Sequence, residues 1–153
     1  MNLLRRHILK SAGAAGALAI TTGLLGAGNA FAAYNTAAFS AKNIADALKG
    51  LGAESATESS DIIVKAPDIA ENGSVVPVEV TSKIANTTNI SILAEKNPNP
   101  LIASFNLSNG TEGFIATRIK MAKTANVRAV VTAGGKIYTA VKEVKVTIGG
   151  CGG

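Results

Sequence analysis

The sequence predicts an all-β fold: an immunoglobulin-like antiparallel β-sandwich of about seven strands, preceded by an N-terminal helix and followed by a flexible glycine-rich arm. Three observations carry this. From Asp61 to Ile148, short β-branched runs recur at roughly ten-residue spacing, parted by clusters of Gly, Pro, Asn and Ser. Little helical periodicity lies between them. The single cysteine, Cys151, rules out the inter-sheet disulfide that pins many immunoglobulin domains, though not the topology. A small barrel is the rival arrangement of the same strands.

Residues 1–32 stand apart from that fold. Arg5, Arg6 and Lys10 are followed by an uncharged run rich in Ala, Gly and Leu from Ser11 to Gly28, then by Ala30-Phe31-Ala32. This is the layout of an export signal cut after Ala32. A retained membrane anchor is the rival reading. The apolar run is diluted by glycine and falls short of the roughly 20 residues a span needs. The stretch LRRHILK is similar to the twin-arginine export motif, with Arg5 and Arg6 as its paired arginines. Leu4 and Ile8 depart from the usual Ser and Phe. Such a signal is an address read by a receptor, and it implies export of an already folded protein to a bacterial periplasm.

Removing the signal changes what charge can mean. Arg5, Arg6 and Lys10 are its only Lys or Arg residues, so the 15 cations of the chain fall to 12 against 10 acids. A near-neutral remainder with no dense Lys/Arg patch and few aromatics argues against nucleic acid as a partner, and with the signal gone no membrane partner is expected. The only histidine, His7, also lies in the signal. The mature chain therefore has no His for a Ser-His-Asp or Cys-His pair. One Cys without His is too few ligands for a zinc or copper site. No glycine-rich phosphate loop is present.

Residues 33–60 are expected to hold a helix and a linker. Thr36 is the candidate cap, Ala37, Ile44, Leu48 and Leu51 keep helical spacing, and Gly50 and Gly52 supply the stop. The polar AESATESS reads as loop. Residues 61–148 are the sandwich. DIIVKAP is its first strand, ended by Pro67. NGSVVPVEVTS is the second, with Val76, Val78 and Val80 on one face; Pro77 places part of it at an edge or a bulge. ISILAEK, LIASFNL, GFIATRIKMA and NVRAVVTA come next. Gly134-Gly135 is a two-residue hairpin signal into KIYTAVKEVKVTI. That last strand changes phase: Ile137, Thr139 and Val141 share one parity, Val144, Val146 and Ile148 the other. Either a β-bulge near Lys142-Glu143 or burial on both faces accounts for it.

Residues 149–153 form the arm: Gly149, Gly150, Cys151, Gly152 and Gly153. Free cysteines are commonly small buried hydrophobes. Here the flanking residues have no side chain to pack, and four glycines in a five-residue tail favour an exposed, mobile thiol. Fully extended, the tail spans about 17 Å, and Cys151 reaches about 10 Å past Ile148. Its thin flanks would let a lone thiol enter a narrow cleft. A free thiol titrates near 8.5, and no cation in the tail would lower that. The thiol is presented but not activated, so a partner's site must activate it.

The terminal KEVKVTIGGCGG, together with PDIAENGSVVPVEV and RIKMAKTANVRAVV, resembles SoxY, the sulfur-carrier subunit of the bacterial thiosulfate-oxidising Sox system. The resemblance covers nearly the whole chain, and its most specific element is the Gly-Gly-Cys-Gly-Gly end. It implies a heterodimer with a SoxZ-type β-sandwich subunit. It implies transient docking to SoxAX-, SoxB- and SoxCD-type enzymes, which own the haem, manganese and molybdenum. Cys151 would be the covalent attachment point for sulfur intermediates, and the four glycines its swinging arm. The chain would itself be no enzyme and would hold no metal or other cofactor. A different reading of the residues is an exported structural sandwich cross-linked through Cys151. A thiol oxidoreductase is disfavoured by the lack of a second cysteine.

Overall fold

The computed structural model describes residues 35–108 and 110–148. Two short helices open it: α1, Thr36–Ser40, and α2, Ile44–Gly50. Nine strands come after them among the described residues: β1 Thr57–Glu58, β2 Ile62–Lys65, β3 Ile69–Ala70, β4 Val76–Ser82, β5 Thr87–Ala94, β6 Leu101–Asn106, β7 Phe114–Ile119, β8 Ala125–Ala133 and β9 Lys136–Val146. One sheet runs β1-β9-β8-β5-β6, with β3 also paired to β9; the other runs β2-β4-β7. The seven longer strands pair antiparallel and are the expected ones, in the expected order. The two-residue β1 and β3 both lie parallel to β9 and are not legible in the sequence as strands.

Alternation of side chains dictates the sandwich core. Val76, Val78 and Val80 turn inward from the small sheet to meet Ile90, Ile92, Val127, Ala129, Val131 and Val144 of the large one. Ile119 and Met121 close the core at one end. The opposite face of β4 carries exposed Pro77 and Glu79. β4 is the central strand of its sheet, yet Pro77 costs no ladder bond. Its partner on one side is Arg118 of β7, while β2 has already ended at Lys65, opposite Glu79.

The single expected helix is two. Ala41 is extended (ψ 140°), and Asn43 restarts the helix by accepting the Asp46 amide on its side chain. The cap of α1 is Asn35 rather than Thr36: its Oδ1 accepts the Ala38 N–H at 3.0 Å. The break folds α2 back on α1. Gly50 lies so close that a Cβ there would sit 2.7 Å from the Ala38 backbone. Its role is therefore close approach, with Gly52 (φ +66°) ending the helix. The pair covers the outer face of the large sheet, where Ala38, Ala47, Leu93, Leu101 and Val130 form a second apolar cluster.

That covering resolves the phase change in β9. Pairing with β8 runs unbroken from Ala133↔Lys136 to Ala125↔Val144, so no bulge occurs. Tyr138, Ala140, Val144 and Val146 face the sandwich core, while Ile137 faces the helices. Both faces of the strand are partly buried.

Candidate functional site

The arm leaves the described structure at Ile148, so the site is built from what holds that point. After β2 the chain leaves the small sheet, runs along β9 as β3, then turns back at Gly73 to enter β4. The excursion clasps the end of β9 and the two residues after it. Lys145 N–H donates to Asp68 O at 2.9 Å, Thr147 N–H to Ala70 O at 3.1 Å, and Gly73 N–H to Ile148 O at 2.8 Å. Thr147 Oγ1 adds a bond to Glu71 O at 3.0 Å.

From the other side comes the β7–β8 loop. Thr124 Oγ1 accepts the Val146 N–H at 2.9 Å. Met121 N–H donates to Gly73 O at 2.7 Å. Asn97 fixes the loop in turn, donating from Nδ2 to Lys120 O at 2.7 Å and accepting the Ala122 N–H at 2.9 Å. Backbone bonds thus continue two residues past β9, up to the carbonyl of Ile148.

Charge is added at one point. Lys142 Nζ bridges Asp68, and that hydrogen bond, then the charge of Lys142, holds the Asp68 carboxyl below the usual carboxylate range; Lys145 adds a smaller effect. Asp68 is well exposed, so solvent screens the pair. Among the described residues no group of three or more His, Cys, Asp or Glu gathers as a metal site.

Of the residues singled out in the sequence, Cys151, its flanking Gly149, Gly150, Gly152 and Gly153, and the signal arginines Arg5 and Arg6 lie outside the described residues. The clasp itself escapes sequence reasoning. Residues 68–71 fall between the first two expected strands and are assigned to neither, because β3 is two residues long and its partner lies more than 70 residues ahead. The one available signal is the apolar pair Ile69-Ala70 between turn residues.

The frame is an immunoglobulin-like β-sandwich whose final strand is clasped just before a cysteine-bearing end. The sulfur oxidation protein SoxY family model matches residues 48–151. The chain belongs to the SoxY family. A solved structure of the sulfur carrier protein SoxY from Chlorobium limicola f thiosulfatophilum is 46% identical, with a TM-score of 0.63, over 71% of this chain and 96% of that one. A superoxide reductase (neelaredoxin) from Ignicoccus hospitalis shares the fold alone, at 18% identity and a TM-score of 0.50 over 56% of this chain and 79% of that one. No curated protein matches the chain.

Proposed function

We propose that this chain carries sulfur intermediates of thiosulfate oxidation covalently on Cys151, held out on a glycine arm to partner enzymes. The single observation that carries this is a family match reaching Cys151 itself, in a chain where that residue is the only thiol. The clasp gives the arm a fixed origin, so any freedom it has starts at Gly149.

The chemistry asks little of this chain. In the first step a sulfur–sulfur bond forms between Cys151 Sγ and the terminal sulfur of thiosulfate. The thiol proton leaves, and an electron pair passes to a haem-containing SoxAX-type enzyme. The product is a cysteine S-thiosulfonate. A SoxB-type hydrolase then adds water at the sulfonate sulfur, releasing sulfate and leaving a persulfide. Where a SoxCD-type sulfane dehydrogenase is present, it takes electrons from the outer sulfur onto its own acceptor. Water supplies the oxygens and protons are released, giving a cysteine S-sulfonate. A further hydrolysis releases sulfate and restores the thiol. A SoxZ-type subunit pairs with this one in the periplasm, the two having been exported together, folded, by way of Arg5 and Arg6. The residues of this chain supply the attachment atom, its reach and its placement; they are not catalytic.

Reconstituted thiosulfate oxidation tests this. Cys151→Ser is expected to abolish turnover with the fold intact, and residual turnover at the wild-type rate would sink the carrier reading. Gly150→Val with Gly152→Val should leave the fold and thiol count unchanged but slow turnover. Equal rates would show that the thinness of the arm is irrelevant.

A further inference from the structure

We propose that the pole around Ile148 is a docking collar for the enzymes that act on Cys151, and that it fits a partner surface with an apolar seat bordered by carboxylates. The proposal rests on the carrier reading and adds to it the surface those enzymes must touch.

The length of chain beyond the clasp makes contact unavoidable. Cys151 lies three residues past Ile148, at most about 10 Å away. An enzyme that takes this thiol even a few ångströms into a pocket presses its outer surface against whatever surrounds the root. The composition of that surrounding is unusual. Five large hydrophobic side chains are exposed among the described residues, and three lie here: Ile69 (58%), Val75 (53%) and Ile148 (69%). Ile69 is paired beside Lys145 on β9. Val75 is two residues from Gly73, whose N–H holds Ile148 O, and so within about 7 Å of it along the backbone. A fourth, Phe114, is paired with Thr81, five residues up β4 from Val76. That is roughly 17 Å along the strand, and the arm does not force contact there.

Cations border the same pole. Lys120 adjoins Met121, which bonds to Gly73, and Lys123 adjoins Thr124, which holds Val146. With Lys145 they form no ion pair among the described residues. Of the nearby acids, Asp68 is taken up by Lys142, which leaves Glu71 and the exposed Glu143 against three lysines. The backbone of the Lys120 loop is fixed by Asn97, so this positive border is a shaped surface. Apolar contact at the centre with unpaired charge at the rim is the ordinary anatomy of a protein interface. Rim charges of this kind act mainly on the rate of association and its salt dependence.

The test uses the full chain with its arm, purified with its partner subunit, and compares the wild type with two double variants, I69S/V75S and K120E/K123E. All four side chains point to solvent, so thermal melts should match. Cys151 should react equally with a small disulfide reagent in each. With thiosulfate and limiting haem-containing conjugating enzyme, the rate at which Cys151 gains thiosulfonate mass should fall about tenfold in each variant. Wild-type loading should slow as salt rises, and the lysine variant should lose that dependence. Equal loading rates in all three proteins at low salt overturn the collar while leaving the carrier reading standing. Absence of any adduct on wild-type protein overturns the carrier reading, and the collar with it.

Discussion

Two attachments sit on the large sheet, and they are made differently. On its outer face α1 and α2 are seated by side chains, burying Ala38, Ala47, Leu93 and Val130. At the end of β9, residues 68–75 bury Ala70 in the core but are seated mainly by backbone bonds, while Ile69 and Val75 stay outside. The first attachment completes a surface. The second fixes the segment that ends β9 and leaves Ile69 and Val75 facing outward. Hydrophobic burial dominates the first attachment and hydrogen bonding the second: one covers the large sheet, the other fixes the end of its longest strand.

Breaking the first attachment should cost most. In Gly50→Ala the new Cβ meets the backbone of Ala38, which cannot yield without shifting α1. Overpacking of this kind costs about 1–3 kcal/mol, which outweighs a helix-propensity gain of up to about 1 kcal/mol. Chemical denaturation should show the net loss, with Cys151 loading by partner enzymes unchanged.

The second attachment should fail more locally. Thr124→Val keeps shape but removes the acceptor of the Val146 N–H. A part-buried amide left without a partner costs about 1–2 kcal/mol. Amide exchange at Val146 and Thr147 should rise with little change in the global transition. A uniform rise across β8 and β9 would mean that the clasp is not a separate unit.

The smallest effect belongs to Asp68. Its pKa is lowered by Lys142 in the folded chain. The pair therefore contributes above the unfolded carboxylate value of about 3.9, and its contribution is lost as pH falls through the lower folded value. Asp68→Asn should remove a slight, salt-screened decline in clasp stability below about pH 4, read by the same amide exchange.

The sandwich is legible in the sequence because its signals are local. Val76, Val78 and Val80 alternate, and Gly134-Gly135 (φ +55° and +75°) adopt the left-handed backbone that a tight hairpin needs. The helix break is hidden because Ile44 and Leu48 continue a plausible helical stripe, while the decisive event is Asn43 capping a second start. β9 looks irregular because one strand serves two cores, and only the presence of the helices shows why. Of the candidate site, the thiol and its glycines are plain from composition. The clasp depends on pairing between Ile69 and Lys145, a distant contact with no periodic trace.

The central claim is that Cys151 is the covalent attachment point for sulfur. Intact mass of the chain, after incubation with thiosulfate and the haem-containing conjugating enzyme, tests it most directly. One thiosulfonate mass that maps to Cys151, is removed by a thiol reductant and is missing from Cys151→Ser is the predicted result. An unchanged mass, or an adduct that persists in Cys151→Ser, would contradict the account.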